Sequence, residues 1–168
     1  RTMPEVLIDG LLYRGGKLLI GAPSKARKTW MLQHLALAVA NGGNWLGFQC
    51  DRMPVLYLDL ELLEPDSLGR FDKISRKSGF WDTSDLHVWA LRGYAVTLKR
   101  IKPMLIEYAR KHGIGMIVID PFYRISAGAV ENSAEEVAVF LAELEEVIRE
   151  CKSSLAMSHH FAKGNAAG

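Results

Sequence analysis

Short, almost uniformly apolar runs alternate along this chain with longer segments whose apolar residues recur at helical spacing. An unbroken apolar run predicts a β-strand buried on both faces, and spacing of three and four residues predicts a helix packed on one side. The predicted strands are 17–20, 54–61, 86–90, 115–121 and 153–159. The predicted helices are 29–40, 64–78, 98–112 and 133–151, and we expect loops at 44–53 and 122–132.

Helix boundaries carry signals of their own. Glycines at 42–43 predict the end of the first helix, because glycine readily takes the left-handed backbone that ends a helix. Ser133 followed by Glu136 is a capping box that opens the last helix. In the second helix the periodicity places Leu68, Phe71 and Ile74 on the inward face.

Strands and helices that alternate throughout predict an α/β fold, a three-layer sandwich with a mainly parallel sheet and right-handed crossovers. We expect one domain spanning residues 1–168, incomplete at its C-terminal end, because both ends of the sequence look cut. Ligands of such folds bind at the carboxyl ends of the strands. The candidate functional residues described below all lie at the carboxyl ends of predicted strands or after them.

Composition adds few constraints. Of the 168 residues, 49% are hydrophobic and 24% are charged, which is ordinary for a soluble globular domain. The net charge of +2 is too small to indicate nucleic acid or membrane binding. Two distant cysteines form no metal-binding spacing. No apolar stretch reaches the roughly 18 residues that a membrane span needs, and no signal peptide is visible. We expect a cytoplasmic protein without membrane contact.

The segment that joins the first strand to the first helix has the pattern of a phosphate-binding loop. A buried strand ends at glycine, a small basic loop follows, and Lys28-Thr29 opens the helix, whose positive dipole end would face an anion. Lys28 is expected to reach the β- and γ-phosphates and Thr29 to bind Mg²⁺. The expected nucleotide-binding residues are Gly21, Ala22, Pro23, Ser24, Lys25, Ala26, Arg27, Lys28, Thr29 and Trp30.

This loop departs from the pattern G-x-x-x-x-G-K-S/T at both glycines. Ala22 stands at the first, a mild change, and Arg27 at the second. Glycine is usual beside the lysine because it tolerates unusual φ and ψ and lets backbone approach phosphate closely. Arg27 would point outward or add a guanidinium donor to phosphate. An ordinary basic strand-to-helix loop is the alternative interpretation.

Carboxylates end two of the predicted strands. Asp120 follows four apolar residues, a typical place for an acid that holds Mg²⁺, partly through water. Glu61 ends the predicted strand 54–61 and is the expected general base for the attacking water. Asp59 would face the same side, but Glu61 is preferred because it lies closer to the strand's end. The alternatives are a local cap at Asp120 and a surface carboxylate at Glu61.

Two adjacent histidines end the last strand. His159 or His160 would contact the γ-phosphate or the catalytic water, and the sequence leaves open which one faces the site. Adjacent strand residues point to opposite faces, so a zinc site is a weak alternative, and a purely structural histidine is another. Arg124 would serve DNA, nucleotide or a neighbouring subunit, or lie solvated in its loop.

Four blocks together make the chain resemble the RecA-like P-loop ATPases of the RepA type, small hexameric replicative helicases of plasmids and phages. Residues 21–29 resemble Walker A, 57–61 the strand that ends in the catalytic glutamate, and 117–121 Walker B. Residues 158–164 resemble the His-His block with its small-residue tail. Their order and spacing fit across residues 5–165.

The resemblance implies ATP and Mg²⁺ as cofactors, hydrolysis stimulated by single-stranded DNA, and assembly into a homo-oligomeric ring. It implies catalytic roles for Lys28, Glu61, His159 and His160. The loop after the last block corresponds to a DNA-facing loop, and the family's later strands, with an arginine for the neighbouring site, are absent from this sequence. A nucleotide-binding regulatory module with little hydrolysis is the alternative function, and a small-molecule kinase is a more distant one.

Overall fold

The computed structural model describes residues 2–22, 27–126, 128 and 133–160, and of Ala22 and His160 only the backbone. Nine strands and four α-helices are formed by these residues. The strands are β1 Val6–Ile8, β2 Leu12–Tyr13, β3 Lys17–Ala22, β4 Asn44–Trp45, β5 Phe48–Gln49, β6 Val55–Asp59, β7 Leu86–Ala90, β8 Met116–Asp120 and β9 Ser154–His160. The helices are α1 Lys28–Asn41, α2 Glu64–Ser78, α3 Leu98–His112 and α4 Ala134–Cys151.

The five longer strands form one parallel sheet in the order β3-β9-β8-β6-β7. Of the three inner strands, β6 and β8 read as apolar runs up to their final aspartate because helices cover both of their faces. Helices α1 and α2 pack on one face, and α3 and α4 pack on the other. The predicted three-layer α/β sandwich with a mainly parallel sheet is confirmed, and its arrangement is RecA-like.

Side chains alternate between the two faces along each inner strand. On β6, Leu56 and Leu58 join the core beneath α3 and α4, whereas Val55 and Tyr57 join the core beneath α1 and α2. The same alternation holds on β8 and β9. This alternation decides which face of the sheet each polar residue at a strand end lies on. The register between β6 and β8 then places Asp59 directly beside Asp120.

The predicted helix boundaries hold closely. Gly42 ends α1 with φ 66°, in the left-handed region that glycine favours. Ser133 caps α4, and its hydroxyl oxygen accepts a hydrogen bond from the backbone N–H of Glu136. Helices 64–78 and 98–112 have the predicted bounds. No helix within the described ranges is both long enough and apolar enough to cross a membrane.

Several local predictions are wrong. Leu68 is 46% exposed, and the buried α2 residue beside it is Ser67, which meets Gln33 of α1. Strand β6 ends at Asp59, so Glu61 lies in a bend beyond it, where the alternation of strand side chains no longer applies. Residues 44–49, predicted as loop, form the β4–β5 hairpin, and the N-terminal β1–β2 pair is a second hairpin. The loop predicted at 122–132 begins with a 3₁₀ turn, Phe122–Ile125.

Candidate functional site

Buried polar side chains gather where the inner strands end on the α1 side of the sheet. Asp59, Asp120 and Ser158 follow the apolar residues that pack under α1, and each is at most 2% exposed. Their position follows from the strand alternation, since each lies two residues beyond a side chain of that core. Polar groups buried this deeply are stable only when hydrogen-bonded, so their partners define the site.

Asp120 is held by two hydroxyl groups. Tyr57 donates to Asp120 Oδ2 at 2.7 Å, and Ser158 donates to Asp120 Oδ1 at 2.6 Å. The Tyr57 ring is fully buried and meets the edge of Phe71 on α2, so its hydroxyl has a fixed direction. Burial raises the pKa of Tyr57 strongly, and the neighbouring Asp120 carboxylate raises it further, so the phenol remains a donor. Sequence reasoning missed both donors.

Lys28 begins α1 and is the buried cation of the site. Its side chain is 4% exposed, and its Nζ donates to the backbone oxygen of His159 at 3.0 Å. Burial lowers the pKa of Lys28, while the charges of Asp120 and Glu61 act to raise it. Lys28, Asp120 and Glu61, which the sequence predicts to bind phosphate, Mg²⁺ and the attacking water, therefore interact electrostatically.

The bend after β6 is organised by Asp59. Its Oδ1 accepts hydrogen bonds from the backbone N–H groups of Glu61 at 3.1 Å and Leu62 at 2.8 Å. Burial raises the pKa of Asp59, and the charge of Asp120 adds to this, against the opposing effect of these amides and the Ser67 hydroxyl. Asp59 thus fixes the backbone that carries Glu61, a role the sequence did not indicate.

Glu61 itself is half-buried and lines a cleft of about 650 Å³. Arg124 lines the same cleft, is exposed, and places its guanidinium 5.4 Å from the ring centre of Tyr123. The cleft also includes the exposed Tyr94 of the loop between β7 and α3. Water therefore has access to Glu61 from this side.

Arg27 precedes α1 in a left-handed conformation, with φ 58° and ψ 34°. Glycine takes this conformation most readily, so the backbone at Arg27 is one that favours glycine although the residue is an arginine. Arg27 caps no amide with its side chain, and the first turn of α1 contains no acidic residue. The amides and positive dipole end of α1 therefore suit an anion.

The other predicted loop residues are placed as follows. Gly21 is exposed at the end of β3, and Thr29 is half-buried in the first turn of α1. Trp30 is half-buried, with the Arg70 guanidinium 5.1 Å from its ring centre. Pro23, Ser24, Lys25 and Ala26, together with the Ala22 side chain, lie outside the described residues.

Of the two histidines predicted at the end of the last strand, His159 is the one whose side chain the structure describes, and it packs near aromatic residues. The rings of His159 and Phe122 lie 5.0 Å apart, and Phe122 stacks on Phe140 of α4. Since Ser158 points to the α1 side, the His159 side chain leaves β9 on the other side, and its contact with Lys28 is through backbone. The side chain of His160 lies outside the described residues.

These residues fit a nucleotide with Mg²⁺. A buried ammonium and a helix N-terminus with no acidic residue in its first turn suit phosphate. Within the described ranges no three His, Cys, Asp or Glu side chains group to hold a metal. Mg²⁺, however, normally takes one or two carboxylates with phosphate and water. Each oxygen of Asp120 has a second lone pair beyond its hydroxyl donor, so the carboxylate can also accept a metal-bound water.

The comparison with known families agrees with this geometry. A family model described as an AAA domain, AAA_25, matches residues 1–166, nearly the whole chain. The chain belongs to this family, a class of P-loop-like domains with nucleotide-binding, ATPase-like function. No curated protein matches the chain.

Proposed function

We propose that this domain binds ATP with Mg²⁺ and hydrolyses it as the motor of a RepA-type replicative helicase in the cytoplasm. The observation that carries the proposal is the buried Lys28 ammonium, which begins α1 and interacts with both Asp120 and Glu61. A charge this deeply buried is expensive unless an anion compensates it. The triphosphate of ATP would bring further negative charge to this ammonium at the helix end.

The residues have distinct roles in the proposed reaction. Lys28 would exchange its hydrogen bond with the His159 carbonyl for one with the β- and γ-phosphates, and Thr29 and Asp120 would hold Mg²⁺. The metal would neutralise phosphate charge. Glu61 would orient the attacking water and accept its proton, and Asp59 would keep the Glu61 backbone in place.

The hydrogen bond from Lys28 to His159 supports a link between phosphate and the end of β9. If Lys28 turned toward phosphate, it would give up its hydrogen bond with the carbonyl of His159 and so change the contact between α1 and the end of β9. The segment after β9 is the one that the family resemblance assigns to DNA. His159 and His160 would report the state of the phosphate to single-stranded DNA by this route.

Two substitutions test the proposal. Lys28→Ala should abolish turnover, because it removes the charge that holds phosphate. Glu61→Gln should keep ATP binding but lower turnover by about 10²- to 10⁴-fold, the usual contribution of a positioned base. Glu64→Gln is the matched control, since Glu64 is an exposed carboxylate three residues away. Retained turnover in Lys28→Ala would contradict the proposal.

A regulatory nucleotide-binding module is the second proposal, and Arg27 favours it. A guanidinium at the position nearest phosphate adds a positive charge and side-chain bulk where a working loop normally has neither. Such a loop would bind ATP or ADP and release it without useful hydrolysis. Under this proposal Arg27→Gly increases turnover strongly, whereas the motor proposal predicts little change.

A further inference from the structure

A groove of about 630 Å³ is formed by α1, α2 and the β4–β5 hairpin. Trp30 and Met31 of α1, Ile74 of α2 and Leu46 of the hairpin supply its apolar lining. None of the buried polar residues of the candidate functional site lines it. We call this surface the α1–α2 groove.

Positive charge surrounds the apolar lining of the groove. Four cations line it as well: Arg27, Lys73, Arg76 and Lys77. Arg76 forms an ion pair with Asp72 at 3.0 Å, so its charge is compensated. Among the residues that the structure describes, the other three cations belong to no ion pair, and no carboxylate lines the groove. Arg70 adds a further cation beside it, 5.1 Å from the ring centre of Trp30.

Leu46 has an unfavourable backbone for the exposed tip of a hairpin. It has φ 50°, is followed by Gly47 at φ 87°, and is 58% exposed. Two-residue hairpin loops with positive φ at both positions favour Asn-Gly. Leucine here gains neither a suitable backbone nor burial within the chain. A strained residue that the fold itself does not need suggests a binding role for its side chain.

The size of the groove favours a small molecule over a protein partner. Its volume lies within the range of about 300–1,000 Å³ that is usual for small-molecule sites. Ten described residues line it, whereas a stable protein–protein interface takes about 20–30 residues on each side. The unpaired cations favour a negatively charged ligand, and the apolar lining favours one with a hydrocarbon body.

We propose that the α1–α2 groove binds an amphiphilic carboxylic acid, an aliphatic chain that ends in a carboxylate. Lys73 and Lys77 are one turn apart on α2, so both ammonium groups can face the same carboxylate. The chain of the ligand lies against Met31, Leu46 and Ile74. This site goes beyond the proposed function, because the ligand occupies neither Lys28 nor the strand ends.

Two probes with the same chain separate the charge of the ligand from its apolar body. Laurate carries a carboxylate and dodecanol a neutral hydroxyl group, and both are titrated by calorimetry without nucleotide and below micelle formation. The double variant Lys73→Gln/Lys77→Gln should weaken laurate binding by about threefold to twentyfold, the expected loss of two exposed charge pairs, and leave dodecanol binding unchanged. Lys111→Gln, at an exposed lysine of α3, should bind laurate like the unchanged chain.

A second variant separates binding from folding. Leu46→Asn places the favoured Asn-Gly pair in the hairpin loop, so its thermal stability should be retained or increased. It should nevertheless weaken the binding of both probes by about fivefold to tenfold, because the chain loses apolar contact. Leu141→Asn is the control, since Leu141 is 48% exposed on α4, outside the groove.

Tryptophan fluorescence locates the bound ligand. A brominated laurate quenches nearby indole rings, so quenching should be lost in Trp30→Phe and kept in Trp89→Phe, because Trp89 packs against the core on the other face of the sheet. Absence of laurate binding, laurate and dodecanol affected equally by the lysine variant, or quenching unchanged in Trp30→Phe would each overturn the proposal. Binding of an acidic amphipathic peptide, a second copy of the chain or an anionic lipid vesicle at these residues, without laurate binding, would assign the groove to that occupant and would overturn it too.

Discussion

Replacing Arg27 with glycine should stabilise the domain. Arg27 has φ 58° and ψ 34°, a left-handed conformation that costs an L-residue about 1–2 kcal/mol. Glycine avoids this cost but loses about 0.5–1 kcal/mol more backbone entropy on folding. The net increase in the free energy of unfolding is about 0.5–1 kcal/mol. For a domain of this size that corresponds to a rise in Tm of about 1–4 °C.

Lys152 provides the matched control for this measurement. It ends α4 with φ 52° and ψ 40°, is exposed, and is remote in sequence from the phosphate loop. Lys152→Gly should raise the Tm by a similar amount, measured by calorimetry and by urea unfolding. If Lys152→Gly stabilises and Arg27→Gly destabilises the domain, Arg27 makes contacts that outweigh its backbone cost, and the reasoning is refuted. Turnover of Arg27→Gly then distinguishes the two proposed functions.

Three further predictions concern buried groups. Tyr57→Phe should lower the free energy of unfolding by about 1–3 kcal/mol in urea, because Asp120 loses a buried donor; an unchanged stability would contradict that role. Asp59 has a raised pKa in the folded state, so its contribution to stability is present at acidic pH and is lost as pH rises through the folded pKa. The stability of Asp59→Asn, measured relative to the unchanged chain, should therefore increase with rising pH. A difference in the free energy of unfolding in urea that stays constant with pH would contradict this prediction. Burial raises the pKa of Cys50 and of Cys151 to about 11. Both thiols should therefore react slowly with a disulfide reagent at pH 8, and the reaction should become faster with each pH unit. Fast, pH-independent labelling would show that these thiols are not buried.

The arrangement of layers could be predicted from the sequence because it depends on patterns of local spacing. The apolar runs at 54–61 and 115–121 are short and indicate strands covered on both sides, and the helix at 64–78 has clear periodicity. The short hairpins could not be predicted, since two-residue strands such as β4 leave too few positions for any period. The prediction that Leu68 faces inward is wrong because helical spacing alone cannot show that the small Ser67 packs against α1.

The site could be predicted only in part. Loop and strand-end patterns predict Lys28, Asp120 and Glu61, and in the structure the charges of Asp120 and Glu61 act on the pKa of Lys28. The hydroxyl groups of Tyr57 and Ser158 could not be found, because their contacts with Asp120 depend on the register of neighbouring strands. Register brings together residues far apart in sequence, and a single sequence carries no record of such pairs.

ATP hydrolysis by the unchanged chain and by Lys28→Ala, with and without single-stranded DNA, tests the central claim most directly. The account predicts turnover that DNA stimulates and that disappears in Lys28→Ala, while the variant keeps its fold by circular dichroism. ATP binding without turnover in either condition would favour the regulatory module. Equal ATP binding and turnover by the unchanged chain and Lys28→Ala would contradict the assignment of the phosphate site itself.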